Sequence, residues 1–301
     1  MAYQAISPAA LAGLLALHRY RLLSVDQFAR ASALKPSHVR DLLRVYERQK
    51  LLGSIGNVGL RGGSKAPKLY FLTRTGYDIL CDAGGFLEDD IGAFVRPHTG
   101  ARWTPVMAHR MATIDLLLSV EVTLAEFPRY RLIRTFHEYR RVPKGRGPVQ
   151  PETSDYVAEP FTPRNRVVPD AGFVLENSES GQRGLYFIET DRGTERLTAG
   201  REGSYSVLDK FRLYERYLRG GRFAQSYAAD GDFRFFTLLF VTTSAERIAN
   251  TQMASGQLDA GLHPYFRLAS LQAARLNIFA PIWVSRAPGD TVPGQLIKQD
   301  R

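Results

Sequence analysis

The sequence predicts a mixed α/β chain in two parts, a small helical module closed by a hairpin and a larger module built on strands. Three observations carry that reading. Apolar residues recur at helical spacing early in the chain and again over 107–127 and 204–218, whereas compact apolar runs at 167–176, 185–189 and 233–243 have the length of strands. The 301 residues suffice for two ordinary domains at roughly 100–200 residues each. The charge is divided unevenly between the two parts.

Lys and Arg number 40 against 30 Asp and Glu, a formal charge of +10. Residues 1–80 hold twelve basic and four acidic side chains, a net of +8; residues 81–301 hold 28 and 26, a net of +2. A field concentrated in one module points to an anionic partner such as DNA, rather than to a generally basic surface. A hydrophobic fraction of 44% excludes a disordered chain. No run is long and apolar enough for a membrane span, and the first twenty residues lack the pattern of a signal peptide. Cys81, the single cysteine, has no partner for a disulfide or a thiolate zinc site. A soluble, cytoplasmic protein with no membrane contact is expected.

Ser7-Pro8 supplies an N-cap and a first-turn proline ahead of Leu11, Leu14, Leu15 and Leu17, so a first helix begins there. Ser24 caps a short second helix through 25–31. After a turn at 32–35, a third helix runs from about Pro36 to Lys50 with Val39, Leu42, Leu43 and Tyr46 as its buried stripe. A strand over 51–58, a basic tip over 59–68 and a second strand over 69–73 complete the order helix, helix, turn, helix, hairpin. This is the order of a winged helix-turn-helix. A helix of that kind enters the major groove and the hairpin reaches phosphates. Ser37, His38, Arg40, Asp41, Arg44 and Arg48 lie off the apolar stripe as groove-facing residues, and Arg61, Lys65 and Lys68 are the expected phosphate contacts. The expected division is a DNA-binding domain over 1–83, a linker over 84–105 with four Gly, two Pro and the acidic Glu88-Asp89-Asp90, and a second domain over 106–301.

In the second domain a helix over 107–127, capped by Thr104-Pro105, precedes a strand over 130–142. The Pro-, Gly- and charge-rich stretch 143–166 reads as a long exposed loop. Two strands follow at 167–176 and 185–189. Residues 204–218 form a helix with Val207, Phe211, Tyr214 and Leu218 as its stripe. A strand at 233–243, a helix from Ala245 and a last buried strand over 278–284 complete the α-β-β-β-α-β order with its additions.

Pro169-Asp170 in the second strand and Glu189-Thr190-Asp191 ending the third resemble the PD-(D/E)xK nuclease superfamily, whose core has that same element order. Over roughly residues 10–220 the chain is also similar to the replication-relaxation family of bacterial plasmids and other mobile elements. The matching parts are Leu22-Leu23-Ser24-Val25-Asp26-Gln27-Phe28-Ala29, Tyr70-Phe71-Leu72-Thr73-Arg74-Thr75-Gly76, His109 opening the first helix of the second domain, Pro169-Asp170-Ala171, and Glu189-Thr190-Asp191-Arg192-Gly193-Thr194.

The nuclease resemblance implies Asp170 and Glu189 as Mg²⁺ ligands, with a lysine two residues after the Glu to stabilise charge on phosphate. That position holds Asp191, of opposite sign. Asp191 is then a further ligand or a general base, or Lys210 takes the lysine's part. Lys210 flanks the buried stripe at about 60° from Val207 and can reach inward. Glu138, Glu121, His109 and Asp115 are further candidates. The alternative is a nuclease fold reused for dimerisation or DNA bending, with Asp170 and Glu189 paired to Arg192 or Lys210 and no cofactor. The expectation is a regulator or a replication or mobilisation factor of a mobile element, binding double-stranded DNA as a homodimer with an inactive nuclease-like domain. The competing expectations are a Mg²⁺-dependent endonuclease targeted by the winged helix, and an adaptor that recruits a replication protein.

Overall fold

A computed structural model describes residues 6–56, 66–95, 105–143, 149–198 and 205–297. The chain divides into two compact units, residues 1–114 and 115–301.

In the first unit, α1 (Pro8–Tyr20) starts where Ser7 Oγ accepts the Ala10 N–H at 3.2 Å, and Arg21 in the left-handed region ends it. After β1 (Leu23–Ser24), α2 (Val25–Ser32) opens on a capping box between Ser24 and Gln27. α3 (Pro36–Arg48) buries Val39, Leu43 and Tyr46 on one side. The strands β2 (Leu52–Ile55) and β3 (Leu69–Leu72) pair antiparallel, and β1 joins β3 on its other edge. Thr73 caps α4 (Arg74–Gly84). Gly76 allows that helix to start hard against the hairpin, since a Cβ there would stand 2.0 Å from the Leu51 carbonyl oxygen.

The stretch expected to be a linker is partly built into this unit. It forms the short α5 (Glu88–Ile91). His18 Nε2 donates to the carbonyls of Ile91 (2.9 Å) and Gly92 (3.1 Å), and the Tyr77 hydroxyl donates to Gly92 O at 3.0 Å.

In the second unit the α-β-β-β-α-β order is present. α6 (Pro105–Thr123) runs through the division at residue 114 into this unit, followed by β4 (Tyr130–His137). The region read as a long exposed loop contains β6 (Gln150–Pro151), which pairs with β5 (Arg141–Val142) at the end of the expected strand over 130–142, and β7 (Asp155–Tyr156), which pairs with β8 (Arg166–Val167) at the loop's far end. It also buries Glu152, Thr153, Ser154 and Asp155. Its interior is polar, so it carries no apolar periodicity, and hydrogen bonds hold it instead. β9 (Ala171–Asn177), β10 (Arg183–Thr190), α7 (Val207–Gly220), the short α8 (Arg222–Ser226) and β11 (Phe236–Thr242) follow. α9 (Ala245–Ser255), β12 (Phe266–Ser270), α10 (Leu271–Leu276) and β13 (Val284–Ser285) complete it.

The six-stranded sheet runs β13-β12-β11-β10-β9-β4, with β11 parallel to both β10 and β12 and the other pairs antiparallel. β12 is a strand the sequence reading missed. Conversely, only Val284 and its neighbour pair as a strand at the end of the run 278–284. Pro281 lacks the N–H a ladder needs, Ile278 and Phe279 are buried as core anchors from a turn, and the buried Trp283 pairs only by an isolated bridge to Gly294. Phe187, Phe236 and Phe240 on the sheet meet Phe211, Tyr214 and Tyr217 of α7, with Phe187 and Phe236 edge to face at 4.9 Å. Among the described residues, no helix is long and apolar enough to cross a membrane.

Candidate functional site

The antiparallel register of β9 and β10 sets Ile188 opposite Ala171. Asp170, the residue before β9, therefore arrives at the end of β10, where its Oδ2 accepts the Thr190 N–H at 2.7 Å. Alternation along β10 puts Glu189 on the face of Phe187, which is the face covered by α7. α7 is started by the Ser206–Asp209 capping box, and four residues separate Lys210 from Tyr214 on it, one helical turn. Both meet Glu189. Lys210 Nζ donates to Oε2 at 2.8 Å and the Tyr214 hydroxyl donates to Oε1 at 2.5 Å. Lys210 also reaches Glu195 Oε1 at 3.3 Å. A carboxylate oxygen of Glu138 lies within 4.8 Å of one on Asp170, and the Glu138 N–H donates to the Asp170 carbonyl at 3.0 Å.

Burial lifts the Glu189 carboxyl to about 7, against the pull of the Lys210 ammonium and with the push of the Asp170 charge. Burial works against the charged form of Lys210. The surrounding carboxylates, Glu189 first, outweigh it and hold the ammonium above the ordinary lysine range. The Tyr214 hydroxyl is pushed well above its usual value by burial and by the neighbouring Glu189.

The oxygens of Asp170, Glu138 and Glu189 are donors of the kind a hard divalent cation takes. Glu189 is fully engaged by its two α7 partners. A cation shared with Asp170 would therefore take Oε2 from Lys210, which already touches Glu195.

Asp191 is differently held. Its carboxylate accepts Thr242 Oγ1 at 2.7 Å, Arg247 Nε at 2.8 Å, Arg247 Nη2 at 3.3 Å and the Gly193 N–H at 2.9 Å. Lys210, one of the two cations named for the acids, pairs with Glu189. His109, Asp115 and Glu121 all lie on α6. Tyr214 and Glu195 escaped the sequence reading. The signal for Tyr214 was present, because a tyrosine on a buried stripe needs a partner for its hydroxyl.

In the first unit, Ser37, His38, Arg40, Asp41, Arg44 and Arg48 are all exposed on α3, opposite Val39, Leu43 and Tyr46. Arg44 Nη1 pairs with Asp41 Oδ1 at 3.2 Å. Lys68 is engaged by Glu47, at 2.7 and 3.0 Å from its two oxygens, and Ser54 Oγ donates to the same carboxylate at 2.6 Å. Burial opposes the charge on Glu47, yet Lys68 and Ser54 hold its carboxyl below the usual range. Arg61 and Lys65 lie outside the described residues.

Neither the curated proteins nor the solved structures include a match to the chain. The family model described as replication-relaxation matches residues 14–230, well over half the chain. The chain belongs to the replication-relaxation family.

Proposed function

We propose that the protein binds duplex DNA and serves in the replication or mobilisation of a bacterial mobile element, as a regulator or an accessory factor. The observation that carries this is the α3 face. Three arginines, a histidine, a serine and an aspartate stand exposed on one helix whose other side is buried in a helix-helix-turn-helix-hairpin order. Read as a winged helix-turn-helix, α3 is the groove-reading helix, with Arg40 and Arg44 suited to guanine edges. One such helix makes few base contacts, so two copies on a two-fold symmetric site are expected. Gel-shift titration on DNA from the host element tests this. Arg40→Ala with Arg44→Ala should abolish sequence-dependent binding while the fold is kept. Equal binding to every sequence by the unaltered chain would overturn the reading. Genome-wide binding sites then separate a promoter from an origin, and sedimentation on a bound site reads the number of copies.

A second reading is favoured by the Lys210–Glu189 pair. It supplies, from α7, the cation that position 191 lacks. On this reading Asp170 and Glu189, with Glu138 beside them, would hold a divalent ion, which would supply positive charge against the scissile phosphate. Lys210 moves toward the charge developing on phosphate, and Tyr214 keeps Glu189 in place. Asp191 stays paired with Arg247 as an anchor. Incubating supercoiled plasmid with the protein and Mg²⁺ or Mn²⁺ decides between the two. Metal-dependent nicking that disappears in Asp170→Ala, Glu189→Ala and Lys210→Ala establishes an endonuclease. Intact plasmid leaves the DNA-binding factor.

A further inference from the structure

A second basic surface lies on the second unit, built from the segment between β7 and β8 and from the C-terminal half of α7. Tyr156 and Arg166 are partners in the β7–β8 pair. The chain between them brings Phe161 out to the surface, where it is 50% exposed. A phenylalanine ring so placed costs hydration and contributes little to a core. It is nevertheless held in a defined setting. The Arg222 guanidinium sits 4.6 Å from the ring centroid and the Tyr156 ring is 5.1 Å away.

The surroundings are cationic. Arg216 on α7 donates to Asn165 Oδ1 at 3.2 Å and to the Arg164 carbonyl at 3.4 Å, both neutral oxygens, so no acid balances it among the described residues. Arg164 is exposed beside it. The acid nearest in sequence, Asp155, is buried and taken up by Tyr217, Ser226, the Tyr156 N–H and Arg222, whose Nε lies 3.5 Å from Oδ1. Between residues 156 and 166 the only other acid is Glu159.

An aromatic ring backed by an arginine and flanked by Arg164 and Arg216, two guanidinium groups with no acid partner among the described residues, has the chemistry of a platform for an unpaired base and its phosphates. Duplex DNA hides its base faces in the stack and has no use for such a ring. We infer that this surface binds single-stranded DNA, with a base stacked on Phe161, which Arg222 backs, and phosphates met by Arg164 and Arg216. Neither the α3 face nor the Glu189 site takes part. Arg216 lies six residues beyond Lys210 on α7, about 9 Å along the helix. A strand bound here would follow the helix toward the acids.

The test is fluorescence anisotropy of the full chain with a labelled oligothymidine, in chelator, alongside a duplex of the same length. Phe161→Ala should weaken oligothymidine binding roughly ten-fold or more, as loss of one stacked base does elsewhere. Phe161→Trp should preserve it, and Arg216→Ala should weaken it and lessen its salt dependence. Phe161 and Arg216 are exposed, so neither change should alter the melting curve. Arg40→Ala with Arg44→Ala should leave oligothymidine binding intact while reducing duplex binding. The inference fails if the unaltered chain does not bind oligothymidine. It fails equally if Phe161→Ala binds it as tightly as the unaltered chain, or if that change weakens duplex and single strand alike.

Discussion

Lys210 Nζ lies 2.8 Å from Glu189 Oε2, from a helix that begins after β10 has ended. The two groups compensate each other in a setting where neither is stable alone, since Glu189 is almost fully buried and Lys210 nearly so. Removing one partner leaves the other charge without its counterion. Lys210→Met should therefore destabilise the protein by about 3–5 kcal/mol in urea titration. Adding Glu189→Gln to that variant should recover much of the loss, because the amide needs no counterion. A double variant no more stable than Lys210→Met alone would show that the ammonium is held chiefly by Glu195 and Asp170.

The same carboxyl gives a pH signature. Glu189 is lifted by burial from 4.5 to about 7, so between those values the folded protein holds a proton that the unfolded chain has released. Stability contributed by this group falls as pH rises through that window. Glu47, Glu176, Asp209, Asp259 and Asp290, all held below their usual values, contribute the opposite trend at lower pH. The difference between variants isolates Glu189. The melting temperature of the unaltered protein relative to Glu189→Gln should decline from pH 5 to pH 7.5, and a flat difference would place the Glu189 pKa near its ordinary value.

Asp191 and Arg247 form a second buried pair, with Thr242 and Gly193 completing the carboxylate's hydrogen bonds. Arg247 also donates to the Glu195 carbonyl, which ties the segment after β10 to α9. Asp191→Ala and Arg247→Ala should each cost about 3 kcal/mol, and a double-mutant cycle should show that the two losses are not additive. Independent losses would mean that the pair is not energetically coupled.

Much of this architecture could be read from the chain, and the failures share a physical cause. Ser7, Ser24 and the stripe Val39, Leu43 and Tyr46 announce the first unit, because caps and helical periodicity are local signals. Lys210 was reachable because the nuclease resemblance asks for a lysine and helix geometry turns this one inward. β12 was not, because a short strand lying between two neighbours need not alternate, and Phe266–Ser270 runs directly into α10. The stretch 278–284 misled in the opposite sense, since burial of Ile278 and Phe279 is anchoring and not pairing, and Trp283 pairs only through a single bridge to Gly294. The polar interior around Glu152 and Asp155 is silent to any hydrophobic pattern, and it hid the two short strands β6 and β7. The fate of Lys68 was equally hidden. Its partner Glu47 comes from another element, and only folding brings them together.

That pairing changes what the hairpin is expected to give to DNA. A lysine neutralised by a carboxylate at 2.7 Å displaces few counterions when a phosphate approaches, whereas an exposed arginine on α3 displaces about one. On the duplex-binding reading, Lys68→Ala should leave the slope of log affinity against log salt nearly unchanged, while Arg40→Ala lowers it by about 0.9. Glu47→Gln makes the complementary test. It releases Lys68 without altering its reach, so the slope should steepen by up to the same amount and affinity at low salt should rise. Gel-shift titrations at four or five salt concentrations resolve slopes of that size. If Lys68→Ala lowers the slope as far as Arg40→Ala does, the lysine leaves Glu47 for phosphate on binding, and the pair is a resting contact that DNA breaks.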